Sequence, residues 1–298
     1  MKGPIVNLVT PMDKQGDIDF EGLKNLINYQ NNNGINNFWI CGSAGEDFSL
    51  SLNQKSSLIE YFEDANLPKC NYIFGVGSLS FSDTKKLIKL ISNKSCLKSI
   101  HYLCYDQKLG DMQYENVIKD CSETSVLPIY LYHNPKRGRA INTNNIKNLK
   151  DTSNIKGIKI GGYSLSEFLN FKNVSSPKWD LFCAGGSQML ACLSIGFLAH
   201  STSDANIFPK LFKLIYSQYE KGHKDNAKHL QDLAVKLSKL IPRNNNGEYS
   251  AEEKFILSLE GIIKPFVNPS YNLLNDKEKK KCIDVLNFYK EELLKFEN

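Results

Sequence analysis

Two residues of the chain, Lys159 and Tyr132, could carry out covalent chemistry on a ketone. Each ends a short apolar segment, Gly157–Lys159 and Pro128–Tyr132. Burial at the end of a strand disfavours the ammonium form of a lysine and makes a nucleophilic amine available. The amine can condense with a ketone to an iminium that accepts electrons when a neighbouring C–C bond breaks or forms. A phenol on the adjacent strand could transfer protons to the imine. An exposed lysine and a structural tyrosine are the alternatives, and the pair favours the covalent interpretation.

The elements that must position these side chains alternate between short apolar strands and amphipathic helices. Strands are predicted at Pro4–Val9, Asn37–Cys41, Tyr72–Val76, Ser99–Leu103, Pro128–Tyr132, Gly157–Lys159, Leu181–Cys183 and Phe197–His200. Helices between them include Phe20–Gln30, Leu52–Asp64, Asp83–Ser92 and Tyr114–Ser122. Eight strand–helix units predict an α/β protein with a (β/α)8 TIM barrel. An open doubly wound sheet is the alternative, but no GxGxxG sequence follows the first strand.

After the eighth strand the sequence predicts helices only, at Phe208–Lys221, Lys224–Leu240, Ala251–Ile263 and Lys277–Leu294. Asn244–Gly247 marks a loop between the second and the third. We therefore predict a barrel over residues 1–222 and a C-terminal helical appendage over residues 223–298. No low-complexity linker separates the two, so the appendage is expected to pack on the barrel.

The active site of a parallel barrel lies at the carboxyl ends of its strands, which directs attention to the segments that follow them. Strand 2 runs into GSAGE (Gly42–Glu46), and Tyr105 lies just beyond strand 4. Strand 7 runs into CAGGSQ, and strand 8 runs into HSTSDAN. Ser43 alone could also be a small turn residue between glycines.

Several of these segments also match a known family. They are VTPMDKQGDID at the start, GSAGE with the following FSLSLNQKSSLIE, PIYLYHNPKR and GIK, together with the tail EEKFILSLEGIIKPFVNPSYNLL. In this order the chain resembles, over almost its whole length, the dihydrodipicolinate synthase / N-acetylneuraminate lyase family of class I aldolases. The resemblance implies a lyase or synthase that forms a Schiff base with a small 2-keto acid such as pyruvate. It implies neither a cofactor nor a metal.

The resemblance also implies roles for individual residues. Lys159 would form the Schiff base, and Tyr132 would transfer protons. Ser43 would link that tyrosine into a proton relay. Tyr105 resembles the relay tyrosine that reaches in from a neighbouring subunit, which implies a homotetramer.

Substrate binding is expected at the same strand ends. The backbone N–H groups of Ser43 and Ala44 would hold the keto-acid carboxylate, although Ala44 replaces the second hydroxyl that is usual in the family. Arg137 completes the pattern Tyr-x-x-Pro-x-Arg, whose arginine would bind the carboxylate of the second substrate. A solvent-facing loop cation is the alternative for this arginine, because two more cations flank it. Gly185 and Ser201 would complete the substrate-binding set.

Departures from the family pattern leave the second substrate open. Ile160–Gly162 follows the lysine where relatives usually carry an acid or a hydroxyl. Ser187 and Gln188 stand where sialic acid lyases place an Asp-Glu pair, which argues against sialic acid. His133 stands where asparagine is common, and nothing in the family pattern requires a catalytic histidine there.

These features favour a condensation like that of dihydrodipicolinate synthase, with an aldehyde as the second substrate. The close alternative is an aldolase or dehydratase for a 2-keto-3-deoxy sugar acid, which Ala44 and the residues after Lys159 favour. A non-catalytic keto-acid-binding paralogue is a third hypothesis, against which the Lys159–Tyr132 pair argues. A phosphate-binding barrel is a fourth, to which Ala184-Gly185-Gly186 is a faint match.

Composition excludes several other classes of protein. The net charge of +5 is spread along helix faces, so no nucleic-acid partner is expected. No apolar run approaches the roughly 20 residues that span a bilayer. The N-terminal sequence lacks the pattern of a secretory signal, so a cytoplasmic location is the expectation. The eight cysteines form no CxxC pair, which favours reduced, structural thiols and no zinc site.

Overall fold

The computed structural model describes residues 1–162, 164–243 and 250–297. The strands are β1 (Gly3–Asn7), β2 (Asn37–Ile40), β3 (Asn71–Gly75), β4 (Ser99–Tyr102), β5 (Ile129–His133), β6 (Ile155–Ile160), β7 (Asp180–Ala184) and β8 (Ala199–Thr202). The helices are α1 (Phe20–Asn32), α2 (Leu52–Asp64), α3 (Phe81–Ser92), α4 (Asp111–Thr124), α5 (Thr143–Leu149), α6 (Leu165–Val174), α7 (Met189–Ser194), α8 (Pro209–Glu220), α9 (Lys224–Leu240), α10 (Ser250–Leu259) and α11 (Asp276–Glu297). The predicted loop at Asn244–Gly247 lies outside the described residues.

The strands form a closed barrel in chain order, from β1 to β8. β1 and β2 pair in parallel, as do all neighbours from β3 to β8. Every residue of β5 is buried, as is typical of parallel strands that are covered on both faces. The prediction of a (β/α)8 barrel followed by helices is confirmed.

The chain packs as two compact units. The first comprises residues 1–2, 51–65 and 71–201, and it contains β3 to β7 with α2 to α7. The second comprises residues 3–50, 66–70 and 202–298, and it contains β1, β2, α1 and α8 to α11. β8 belongs to the first unit except for its last residue. The division at residue 222 stays a prediction.

Capping sequences set the starts of several helices. Ser51 accepts a hydrogen bond from the backbone N–H of Gln54, whose side chain accepts one from the backbone N–H of Ser51. This capping box satisfies two N–H groups that the first turn of α2 leaves without helical partners. α5 and α6 begin in the same way. α2 and α9 have the bounds that the sequence predicts.

The predicted position of the last strand is wrong by two residues. The apolar run at Phe197 predicts a strand over Phe197–His200, whereas β8 begins at Ala199. The backbone N–H of Phe197 still donates to the carbonyl of Cys192, which belongs to the C-terminal turn of α7. Gly196 makes this turn possible with a φ of +89°.

The third C-terminal helix is shorter than predicted. The pattern predicts a helix over Ala251–Ile263, but α10 ends at Leu259. Gly261 adopts a φ of +69°, and the N–H of Ile262 donates to the carbonyl of Leu257 at 3.0 Å. This Schellman motif closes the helix before the apolar periodicity ends.

One glycine determines how closely the central strands of the first unit approach each other. Gly157 lies opposite Asp180 in the pairing of β6 with β7. A Cβ at this position would overlap the carbonyl of Asp180. Gly157 therefore allows β6 to lie against β7 two residues before Lys159.

Three further findings concern the described residues. No helix in these ranges is long and apolar enough to cross a membrane. The eight cysteines are free thiols, of which six are buried. No group of three His, Cys, Asp or Glu residues in these ranges could hold a metal ion.

Candidate active site

Lys159 and Tyr132 lie side by side on paired strands of the first unit. Tyr132 is the partner of Lys159 in the pairing of β5 with β6. The Lys159 Nζ lies 4.4 Å from the centre of the Tyr132 ring. Lys159 is 1% exposed and Tyr132 is 5% exposed. The structure therefore brings the two predicted reactive groups into direct contact in a buried setting.

The Tyr132 ring is held from two sides. The Asn134 Nδ2 donates a hydrogen bond to the Tyr132 hydroxyl oxygen at 3.1 Å. The His101 ring, from β4, packs edge-on with its centroid 5.9 Å from that of Tyr132. These two contacts limit the orientations that the phenol can adopt.

Gly185 and Ser201 lie together at the ends of β7 and β8. The Gly185 N–H donates to the carbonyl of Ser201 at 3.0 Å. The φ of Gly185 is +111°, which favours glycine. His200 Nε2 donates to the Gly185 carbonyl at 2.6 Å. Burial lowers the pKa of His200 to about 4, and the charge of Lys159 adds to the effect, while the hydrogen bond to Gly185 opposes it. His200 is therefore neutral near pH 7.

Tyr105 follows β4 and is 8% exposed. A Cβ at Gly77 would lie 3.1 Å from the Tyr105 ring, so this glycine leaves the space that the ring occupies. The Lys55 Nζ lies 6.0 Å from the centre of the ring and donates to the Gly77 carbonyl at 2.8 Å. Tyr105 thus has a defined place in its own chain, and its action across a subunit contact stays a prediction.

The two arginines after β5 have different environments. Arg137 is half-buried in a turn in which its N–H donates to the Asn134 carbonyl at 3.0 Å. Arg139 is 6% exposed, and its side chain donates to the Leu109 carbonyl at 2.6 Å and pairs with Asp111. Arg139 is therefore a structural cation, and Arg137 is the more exposed of the two arginines.

His133 has a structural contact. Its Nδ1 accepts a hydrogen bond from the Ile141 N–H at 2.8 Å, and its ring packs on Phe171 with centroids 5.3 Å apart. Burial lowers the pKa of His133 to about 4, while the charge of Glu167 opposes this shift. The neutral ring holds the end of the loop that carries Arg137.

In the second unit, Ser43 and Ala44 lie in a tight turn. The Gly45 N–H donates to the Gly42 carbonyl at 2.9 Å, and the Glu46 N–H donates to the Ser43 carbonyl at 3.1 Å. Ser43 is half-buried and Ala44 is buried. Side chains from distant segments hold two further carbonyls of the turn, that of Gly45 through Thr10 at 2.7 Å and that of Ala44 through Ser250 at 2.8 Å.

The sequence does not reveal the charged cluster behind this turn. Lys254 Nζ lies 2.5 Å from Glu46 Oε1, and both side chains are 0% exposed. The Asn268 N–H donates to Glu46 Oε2 at 2.7 Å. Beside this pair, Arg243 contacts Asp204 at 2.5 Å and Glu253 at 2.7 Å. The only signal in the sequence is the pair of acids next to a lysine in the tail, EEK. Glu253 finds its partner Arg243 ten residues earlier, whereas the partner of Lys254 lies near the start of the chain.

Comparison with known proteins identifies the family of the chain. Residues 1–287 match the model of the Dihydrodipicolinate synthetase family. The chain is 31% identical over 211 residues to the 4-hydroxy-tetrahydrodipicolinate synthase of Wigglesworthia glossinidia brevipalpis, an alignment that covers 69% of each protein.

Two solved structures show the same fold. One is YagE of E. coli K12 in complex with pyruvate, with a TM-score of 0.91 and 18% identity, covering 97% of this chain and 99% of that one. The other is a variant of the 2-keto-3-deoxygluconate aldolase of Sulfolobus solfataricus, with a TM-score of 0.88 and 20% identity, covering 99% and 98%. From the family match, the chain belongs to the dihydrodipicolinate synthetase family and is a lyase of that family.

Proposed function

We propose that this lyase forms or cleaves a C–C bond through an imine between Lys159 and a pyruvate-type 2-keto acid. The observation that carries the proposal is the contact of the buried Lys159 amine with the Tyr132 ring, 4.4 Å from its centre. A buried amine is more readily neutral than an exposed one, and only the neutral amine is a nucleophile.

The proposed steps use few groups. The Lys159 amine attacks the keto carbon, and the resulting carbinolamine loses water to form the iminium. Tyr132 donates the proton that the departing hydroxyl needs and regains one in a later step. Loss of a proton from the carbon next to the iminium then gives an enamine, which attacks an aldehyde to form the new C–C bond. Cleavage follows the same steps in reverse.

We infer a binding role for the other predicted residues. The Ser43 and Ala44 amides are the proposed ligands of the keto-acid carboxylate, as the family resemblance implies. Gly185 and Ser201 are proposed to bind the same substrate, and their mutual hydrogen bond at 3.0 Å supports treating them as one element. Arg137 is proposed to bind the carboxylate of the second substrate, which its half-buried position supports.

Borohydride trapping tests the imine. Wild-type protein is incubated with pyruvate and borohydride, and peptide mass mapping should find a reduced three-carbon acid on Lys159. Lys159→Ala should lose the label and nearly all turnover. Lys156→Ala is the matched control, because Lys156 is an exposed lysine of the same strand and should keep both. Active protein without label, or with label on Lys156, contradicts the proposal. Label without any turnover of a second substrate favours the keto-acid-binding paralogue.

A second candidate function is aldol cleavage or dehydration of a 2-keto-3-deoxy sugar acid. Ala44 in the turn and Ile160–Gly162 after the lysine favour it, because they depart from the pattern of the synthases. The fold is shared with a 2-keto-3-deoxygluconate aldolase as well as with synthases. A panel of aspartate semialdehyde, deoxy sugar acids and sialic acid, each assayed under conditions in which the imine forms, distinguishes the two functions. Turnover of aspartate semialdehyde with pyruvate would support the synthase reaction.

A further inference from the structure

We propose that the buried ion pair between Glu46 and Lys254 is a positioning device, which holds the Ser43 and Ala44 amides in the orientation that binds a carboxylate. The inference rests on the proposed function, because it concerns the substrate carboxylate. It assigns a role to two residues that take no part in the imine chemistry.

The first step of the argument concerns the peptide planes of the turn. A peptide group is rigid, so a bond to its carbonyl also fixes the direction of the N–H on the following residue. The Gly42 carbonyl, in the same plane as the Ser43 N–H, accepts from the Gly45 N–H at 2.9 Å. The Ser43 carbonyl, in the same plane as the Ala44 N–H, accepts from the Glu46 N–H at 3.1 Å. The backbone of Glu46 therefore orients the Ala44 amide directly.

The second step concerns what keeps the Glu46 backbone in place. Glu46 has a φ of +57°, in the left-handed region that costs a non-glycine residue about 1 kcal/mol or more. Its carboxylate is bound at both oxygens, by Lys254 Nζ at 2.5 Å and by the Asn268 N–H at 2.7 Å. Those two contacts, to groups from the C-terminal region, hold the residue in a conformation that it would otherwise leave.

The third step concerns why an ion pair occupies this place. Burial lowers the pKa of Lys254, and the charge of Glu46 opposes that shift. A buried pair is often no more stabilising than apolar residues of the same volume, because both charges lose their hydration. The advantage of the ion pair over apolar residues is geometric, since a buried salt bridge favours one arrangement of the backbone that carries it. Lys254 also neutralises a negative charge next to a turn that is proposed to bind an anion.

The test compares two ketones, one with a carboxylate and one without. Borohydride trapping is measured against the concentration of pyruvate and of hydroxyacetone, which has no carboxylate. In Lys254→Met, the pyruvate concentration that gives half-maximal trapping should rise about tenfold or more, the loss expected when a hydrogen bond to a charged group is no longer made. The hydroxyacetone dependence should stay within about twofold, because the amine itself is untouched.

Two further variants keep the test decisive. Glu46→Gln removes one charge but keeps an oxygen for the Asn268 N–H, and the double variant Glu46→Gln/Lys254→Met removes both charges and so avoids an uncompensated one. Both variants should show the same rise in the pyruvate concentration for half-maximal trapping, with little change for hydroxyacetone. They replace Lys254→Met in the test if that variant does not fold. Lys264→Met is the matched control, because Lys264 pairs at 3.1 Å with Asp19 of the same unit while its side chain is 59% exposed. It should leave both dependences unchanged.

The outcomes are separable. Folded variants with an unchanged pyruvate dependence overturn the inference and leave the proposed function intact. An equal loss for both ketones also overturns it, because the pair would then be needed for the fold and not for anion binding. Wild-type protein that takes up no label from pyruvate contradicts the proposed function itself, and the positioning role falls with it.

Discussion

Arg137 and Arg139 are two residues apart, but their replacement by alanine should affect different properties. Arg139→Ala should lower the stability of the fold, and Arg137→Ala should lower the activity. In Arg139→Ala, the carbonyls of Leu109 and Ala140 lose a charged donor, at 2.6 and 3.0 Å, and Asn145 loses one at 3.1 Å. The bond to Asp111 adds little, because that carboxylate is 57% exposed. A buried acceptor that is left without its donor costs about 1–3 kcal/mol, and three acceptors are affected here. A fall of more than about 5 °C in melting temperature should follow.

In Arg137→Ala, the melting temperature should fall by less than in Arg139→Ala, because Arg137 is half-buried whereas Arg139 is 6% exposed. The loss should appear in kinetics. Removal of a charge-assisted hydrogen bond costs about 1.5–3 kcal/mol, or about 10–150-fold in kcat/KM for an acidic second substrate. Imine trapping with pyruvate should be unaffected. Wild-type kinetics of Arg137→Ala with every acid that is turned over, or an unchanged melting temperature of Arg139→Ala, would refute this division of roles.

Three further predictions concern Tyr132, His133 and Tyr105. Tyr132→Phe should slow the borohydride-trapped formation of the imine by about 10²–10⁴-fold, and an unchanged rate would exclude the phenol as proton donor. His133 has a pKa lowered by burial to about 4 from 6.5, so its contribution to stability is full above pH 6.5 and lost as the pH falls towards 4. Urea unfolding at pH 7 and pH 4.5 should show a smaller difference in His133→Asn than in the wild type, by up to about 3 kcal/mol. Tyr105 is predicted to act across a subunit contact, so dilution to the monomer should abolish activity. A monomer that light scattering shows to be fully active during turnover would contradict this prediction.

The parts of the fold that the sequence predicts well are those set by local signals. The bounds of α2 follow from its capping box and its apolar period, both of which lie within a few residues. The predicted start of β8 is wrong because an apolar residue such as Phe197 fits the end of a helix as well as a strand. The φ of Gly196 and the hydrogen bond from the Phe197 N–H to the Cys192 carbonyl distinguish the two. Apolar content therefore identifies an element more reliably than it identifies its end.

The same distinction applies to the candidate site. Lys159 and Tyr132 could be paired from the sequence because they end consecutive predicted strands of a parallel barrel, which places them side by side. Lys254 could not be paired with Glu46, since nothing local in a helix of the tail indicates a buried carboxylate more than 200 residues earlier. The surroundings of Arg139 are only partly predictable for a related reason, because two of its acceptors, Leu109 and Asp111, lie on the preceding loop and helix.

The long sequence separations around Glu46 affect the order in which parts of the protein fold during synthesis. The turn at Ser43 leaves the ribosome early, but the hydrogen bond to Ala44 spans 206 residues and the one to Glu46 spans 222. Such non-local contacts form late, because a long loop must close before they contribute. During synthesis the Glu46 carboxylate therefore stays hydrated until the tail emerges. We expect the nascent chain to acquire this turn among its last native features, after the strands of the first unit have been translated.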